Sequence, residues 1–403
     1  MDRSSAGTNV SEAEDGEPSW RSLADPPHIR FVIRSRDLWR PVLIFAACRL
    51  IILLTIVAAS FDSSAPVAGI LPKLRFWDGD FYVSIVDDWY PQMVPQTPDG
   101  IASQSSLAFF PLYPLLARGV KAVTPLGAQG SLLFVSAVAG LLATVLLWAL
   151  VANLRNGRAA DRATLLYAAF PGAFVWSMVY AEPVLAVFAI SCAMALLGRR
   201  WWLAGLLAAI GSASRPNAIV LALPCVWAAG AAVWYRREWK AIVAAALAPI
   251  GWLAWLAYIG VWTGEPGAWF RIQREAWGET IDFGYRTLGR VKNVALWLLQ
   301  GTELRMNEIM PTFGLVLVVL LIIAMWKWRP PILLWLSALG IVGLASVSAG
   351  LGLRPRFVHS AFPLVAAGGV ELRGAWFVLV VALSLASQVA LAYLSVTSTR
   401  AIP

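Results

Sequence analysis

The sequence predicts an all-α, polytopic membrane protein, and three observations carry that expectation. Hydrophobic residues fill 59% of the 403 positions and charged residues only 14%. The mean hydropathy is +0.68. The apolar residues fall in runs close to the length at which a helix crosses a hydrocarbon core. These runs lie near residues 41–60, 131–154, 163–179, 183–198, 201–213, 217–235, 241–262, 311–326, 331–349, 358–370 and 375–396. They imply about ten or eleven transmembrane helices.

Residues 1–40 precede the first run and are polar, acidic at first and then rich in Arg. They read as a cytoplasmic, partly disordered tail. No positively charged stub followed by a short apolar core and a small-residue cleavage site opens the chain, so run 41–60 is expected to be both signal and anchor. Residues 41–400 then form the transmembrane domain.

Charge and cysteine usage exclude other classes. The net charge of +9 is spread through short loops rather than along a stripe interleaved with exposed aromatics, which argues against nucleic-acid binding. Cys48, Cys192 and Cys225 each lie inside an apolar run, without ligand-like spacing to one another or to His28 and His359. That argues against a disulfide framework and against a zinc site. No internal repeat is visible.

Topology follows from the placement of positive charge. The connections "RNGRAADR" (155–162), "RR" (199–200), "RREWK" (236–240) and "KWRPP" (327–331) carry the clusters that stay cytoplasmic. Alternation then puts five other segments on the far face. They are the first outer loop at 61–130, "YAEP" (180–183), "SRPN" (214–217), a second large outer loop at 263–310, and "LRPRFVHS" (353–360).

The first outer loop contains "RFWDGDFYVSIVDDWYP" (75–91), with four aspartates among aromatic side chains. At 100° per residue, Trp77, Phe81, Ile85 and Trp89, together with Tyr82 and Val86, make one apolar face. A helix so short would lie along the outer membrane interface. Asp80 and Asp87 fall opposite that face and Asp88 at its edge, whereas Asp78 falls within it. An acid buried against aromatics is suited to accept a proton, as a general base must. The plainer role for Asp78 is an N-cap with Gly79 in the first turn. The aromatic, twice proline-broken "LAFFPLYPLLARG" (107–119) is expected to pack against this loop.

Further candidates lie on the same face. Glu182 is the single charge in residues 163–197, and an ionisable group in apolar sequence is expensive, which marks it as functional. It is also placed to open a helix beside Pro183. Arg215 in "ASRPNAIVLAL", and Arg354 and Arg356 in "RPRFVHSAFP", offer guanidinium groups suited to phosphate or carboxylate. His359 beside them is a minor candidate. The stretch "EPGAWFRIQREAWGETIDFGY" (265–285) mixes aromatic rings with Arg271 and Arg274, as an interfacial helix or a sugar- and phosphate-facing surface would.

Six segments taken in order, "FWDGDFY" (76–82), "AFFPLYPLL" (108–116), "YAEPVLAVFAIS" (180–191), "ASRPNAI" (213–219), "QREAWG" (273–278) and "RFVHSAFPL" (356–364), resemble motifs of the PIG-V-like mannosyltransferases, the GPI mannosyltransferase 2 family and its bacterial relatives. The likeness runs from about residue 40 to 370. It implies the multi-span GT-C glycosyltransferase fold, with interfacial helices in the outer loop. The implied reaction transfers mannose, with inversion, from a polyprenyl-phosphate sugar donor to a lipid or glycan acceptor. It would take place on the extracytoplasmic face of the plasma membrane, among membrane lipids. On this likeness Asp78 is the catalytic acid-base group, and Trp77, Asp80, Glu182, Arg215, Gln273, Trp277 and Arg356 contact substrate. Some GT-C enzymes bind a divalent metal, but no ligand cluster is evident here. The sequence departs from the family's pattern at Ala181, Pro216 and Phe357. The competing class is a flippase or transporter of lipid-linked sugars, in which Glu182 and Arg215 would form a charged pair along the path.

Overall fold

A computed structural model describes residues 28–32, 35–61, 69–301, 306–350 and 352–398. Residues 1–27, most of the expected tail, lie outside the described residues.

The first spanning helix is α1 (Trp39–Ala59). The segment after it holds α2 (Ile70–Leu74), α3 (Asp78–Asp88) and α4 (Leu112–Val123) ahead of the long α5 (Ala128–Leu154). There follow α6 (Gly157–Ala168), α7 (Glu182–Leu197), α8 (Trp201–Ser212), α9 (Ala222–Arg236), α10 (Ile242–Leu247) and α11 (Ile250–Thr263). The second large connection carries α12 (Ala268–Ala276) and α13 (Tyr285–Gln300). Beyond it come α14 (Met306–Trp328), α15 (Ile332–Val347), α16 (Pro355–Ser360), α17 (Phe362–Glu371) and α18 (Gly374–Thr397). Among the described residues there is no β-strand, only two isolated bridges.

Six helical stretches are long and apolar enough to cross a membrane: Ser35–Ala59, Ala128–Leu154, Pro216–Arg236, Trp239–Thr263, Glu308–Trp328 and Gly374–Thr397. A bent pair, Pro171–Ser177 with Glu182–Leu197, makes a seventh if counted as one span, and α8, α15 and α17 are shorter apolar helices. The stretch holding α5 is 61% buried and that holding α18 only 17%. The first is therefore the hub of the bundle, packed on α1, α4, α6 and α7, and the second is a rim helix whose apolar face is left for lipid.

The apolar run at 163–179 is not one helix. It stops at Ala168, turns through a 3₁₀ segment at Pro171–Ser177 and meets α7 at 111°. Pro171 and Gly172 are the local cause, since proline cannot donate and glycine does not hold a helix. The carbonyls freed by the break cannot be left bare in apolar surroundings. Arg49 from the middle of α1 donates to the carbonyls of Ala168 (2.7 Å) and Ala173, and Gln388 from α18 donates to Ala168 (3.2 Å).

Two cores result. The larger joins the spanning helices. The smaller is built by Tyr82, Ile85, Phe110, Tyr113, Trp255 and Ile272, from α3, α4, α11 and α12. As expected, segment 107–119 packs on the aspartate helix: Phe109 stacks on Phe81 at 4.9 Å and Tyr113 meets Tyr82 edge to face at 4.9 Å.

Backbones also meet closely around the segment 353–356. A Cβ on Gly172 would lie 2.2 Å from the carbonyl oxygen of Pro355, and one on Gly314 would overlap the carbonyl of Leu353. Glycine is required at both places by proximity rather than by φ. Gly172→Ala is therefore expected to lower unfolding free energy by about 1–3 kcal/mol, the usual cost of overpacking. Gly230→Ala, with nothing within 4 Å of the new Cβ, is expected to be neutral or slightly stabilising. Thermal unfolding of the two variants in detergent checks the contrast, and equal melting of both would contradict it.

Candidate active site

The sequence assigns five segments to one face, and side chains from all five meet in space. The helix α3 begins at Asp78, with Trp77 outside it as N-cap at φ 68° and Trp89 outside it at φ 69°. The wheel that joined Trp77 and Trp89 to the apolar face therefore does not hold. The buried face is Gly79, Tyr82, Ile85 and Val86. Asp78 is not enclosed by aromatics but sits at the first helical position, where a negative charge complements the helix dipole. Nor is it the N-cap, since the capping position belongs to Trp77, which makes no side-chain cap.

Two contacts hold this strained entry in place. The Trp77 indole N–H donates to the carbonyl of Ser395 at 3.0 Å, and Gly79 lets α3 approach Val179, where a Cβ would fall 3.1 Å from the valine Cβ. The Val179 amide donates to the carbonyl of Leu74 at 2.9 Å, so the segment before Glu182 is laced to the segment before Asp78.

Four side chains then form a row of alternating charge. Arg356 Nη1 donates to Asp78 Oδ2 at 2.8 Å and lies 3.8 Å from Glu182 Oε1, while Arg215 Nη1 lies 2.6 Å from Glu182 Oε2. The side chains of Arg356, Glu182 and Arg215 are 5%, 1% and 9% exposed, and that of Asp78 is 18% exposed. Asp78 is thus the member open to a substrate. Glu182 opens α7, beside Pro183. Arg215 stands on extended backbone ahead of the 3₁₀ segment Pro216–Leu221, and Arg356 is in the first turn of α16.

The Tyr180 ring lies beneath Arg356, 5.5 Å from the guanidinium carbon. Burial opposes the Arg356 charge, but Asp78 and Glu182 outweigh it and hold its pKa above the usual value. Burial raises the pKa of the neighbouring Tyr82 hydroxyl. The ion pairs are close but not well aligned, for both Glu182 oxygens and Arg215 Nη1 lack a directed hydrogen bond. Hydrogen-bonding capacity is therefore left inside the site, where ligand hydroxyls can use it.

The other sequence candidates are arranged around this row. Asp80 is exposed and pairs with Arg75 at 2.9 Å, and Asp87 pairs with Lys121 at 2.6 Å. Trp277 packs edge-on against Phe81 (5.7 Å) and Phe109 (6.0 Å), with its indole nitrogen buried and unpartnered. It thereby adds the second outer loop to the site. Gln273 lies one turn earlier, and its carbonyl accepts from the Glu279 amide at 2.9 Å. His359 is elsewhere, buried and stacked on Tyr167 at 4.2 Å. Among the described residues no group of three or more His, Cys, Asp or Glu side chains is gathered as metal ligands would be. Cys192 and Cys225 approach to 3.6 Å between α7 and α9, with both thiols free.

Sequence reasoning missed Tyr82 and Tyr180 as neighbours of the charges, and Arg290 altogether. Arg290 Nη2 donates to the carbonyls of Ala349 (2.8 Å) and Gly350 (3.2 Å), which fixes the approach to Arg354 and Arg356. An Arg in a mostly polar loop carries no local signal of this.

No family model matches the chain, and no curated protein matches it. Solved structures do. The apo oligosaccharyltransferase of Archaeoglobus fulgidus is similar with a TM-score of 0.48 and 14% identity, over 89% of this chain and 56% of that one. The same enzyme with an inhibitory peptide and a dolichol-phosphate gives 0.46 and 14%, over 90% and 56%. ArnT of Cupriavidus metallidurans bound to undecaprenyl phosphate gives 0.49 and 14%, over 83% and 60%. This chain spans a little over half the length of those structures.

Removing one member of a buried ion pair strands its partner and costs about 3–5 kcal/mol, whereas removing both costs less. Glu182→Gln is therefore expected to destabilise the protein strongly, and Glu182→Gln with Arg215→Gln to destabilise it by less than the sum of the single changes. Denaturation of the three variants closes the cycle. Additive losses would mean that the two side chains are not coupled.

Proposed function

We propose that this chain is a membrane glycosyltransferase of the GT-C kind. It would transfer mannose, with inversion, from a polyprenyl-phosphate donor to a hydroxyl of a lipid-linked or cell-envelope glycan acceptor on the extracytoplasmic face. The observation that carries the reading is the placement of Asp78: the one partly exposed member of an otherwise buried charge row, on the short helix of the first outer segment.

In this reading the acceptor hydroxyl gives its proton to Asp78 as its oxygen forms the new bond to the anomeric carbon. The bond from that carbon to the phosphate oxygen breaks, and polyprenyl phosphate leaves with the electron pair. Phosphate is a good leaving group, so no second carboxylic acid is needed to protonate it, unlike glycoside hydrolysis. Arg356 orients Asp78 through the 2.8 Å contact. Glu182, anchored by Arg215, keeps Arg356 in place and has oxygens with capacity for hydroxyls. Trp277, with Phe81 and Phe109, offers an apolar wall against which a sugar face can lie. The departing phosphate requires a cation within reach.

A transporter would need the Glu182–Arg215 pair but not the joining of that pair, through Arg356, to an acid from the outer segment.

The test is transfer in membrane preparations supplied with radiolabelled polyprenyl-phosphate mannose. Asp78→Asn is expected to slow transfer about 10²- to 10⁴-fold, the usual contribution of a general base. Asp87→Asn, on the exposed side of α3, is expected to stay near wild type. Transfer by Asp78→Asn at the wild-type rate would remove Asp78 as the base.

A further inference from the structure

Both guanidiniums of the charge row are matched to carboxylates, so the cation that meets the donor's phosphate has to be sought beside it. We propose that Arg354 and Arg290 form that seat, taking the phosphodiester that links polyprenol to sugar; this rests on the reading of the chain as a polyprenyl-phosphate-dependent transferase.

Four observations converge. First, Arg354 is two residues from Arg356 and 7% exposed. Its extended backbone, with Pro355 at the start of α16, fixes its course relative to Arg356. Second, the charges that act on Arg354 are Arg356, Asp78, Arg290 and Glu279. Two are positive and two negative, so the cluster as a whole keeps one formal positive charge, which is what a singly charged phosphodiester matches. Glu279 is turned toward Gly350 and the Ser348 hydroxyl.

Third, Arg290 holds the loop by one nitrogen and leaves another unused. Its Nη2 bonds the carbonyls of Ala349 and Gly350, while Nη1 is buried without a hydrogen-bond partner. A Cβ on Gly352, at φ 65°, would lie 2.4 Å from Nη1, so the glycine keeps that nitrogen clear of side chains. A planar guanidinium with a spare donor is suited to phosphate oxygens. Fourth, burial and the neighbouring Arg356 pull the pKa of Arg354 down to about 10. That penalty on the charged form is one a bound anion would relieve. The seat is also built in advance, because the close approaches at Gly172 and Gly314 fix the backbone that bears Arg354.

The test measures quenching of tryptophan fluorescence in the full chain, reconstituted in lipid nanodiscs. It is titrated with polyprenyl phosphate and, separately, with uncharged polyprenol of the same length. Wild type is expected to bind the phosphate at least about 10-fold more tightly than the alcohol. Arg354→Gln and Arg290→Gln are each expected to weaken phosphate binding by about 10- to 100-fold, the scale of one hydrogen bond to a charged group. Polyprenol binding should not change, and Arg354→Lys should fall between. If wild type favours the phosphate and both Gln variants keep full affinity, the seat is elsewhere while the donor class stands. If wild type does not separate phosphate from alcohol, the donor reading fails and the seat with it. Arg290 is only half-buried, so Arg290→Gln decides the matter should Arg354→Gln not fold.

Discussion

The structure depends on Arg356. Its guanidinium touches Asp78 at 2.8 Å and approaches Glu182 to 3.8 Å. One side chain thus joins the first outer segment, the start of α7 and the C-terminal quarter of the chain. A buried cation is costly unless neighbouring anions hold it. The alternation Asp78, Arg356, Glu182, Arg215 satisfies that condition only when four distant segments are correctly assembled. Three of the four members are almost inaccessible to solvent and the fourth is partly open. The site is therefore rigid behind and reachable in front.

The bundle is shaped to put Arg356 there. The chain around it is pressed between the backbones at Gly172 and Gly314, and Gly172 lies in the 3₁₀ segment that interrupts the run at 163–179. That interruption stands because Arg49 and Gln388 bond the carbonyls it frees. A polar residue in the middle of α1 and another in α18 thus support, through one broken helix, a site to which neither contributes a side chain. On the near side, Arg290 ties the second outer loop to residues 349 and 350 and so completes the surroundings of the arginines.

Much of this was legible in the sequence. Runs of apolar residues placed the helices, and positive charge in short loops sorted the segments between them into two sets. The set assigned to one face is the set whose side chains meet around Asp78. Composition also marked Glu182, a single charge in a long apolar stretch. Helical periodicity was less informative at α3, because Trp77 and Trp89 leave the helix through positive φ angles that no periodicity reports. A hydropathy window averages over one charge, which concealed Arg49, and nothing local distinguishes Arg290 from other loop arginines. The pairing of Asp78 with Arg356 spans 278 positions, and only the folded chain reveals it.

The central claim is that a polyprenyl-phosphate sugar is attacked beside Asp78. The most direct measurement is a cryo-EM structure of the full chain with a non-transferable polyprenyl-phosphate mannose analogue. The expected result places the anomeric carbon within about 6–7 Å of the Asp78 carboxylate, the sum of one hydrogen bond and one near-attack contact through an intervening acceptor oxygen. A donor seated with its sugar away from Asp78, or on the opposite face of the bundle, would contradict it.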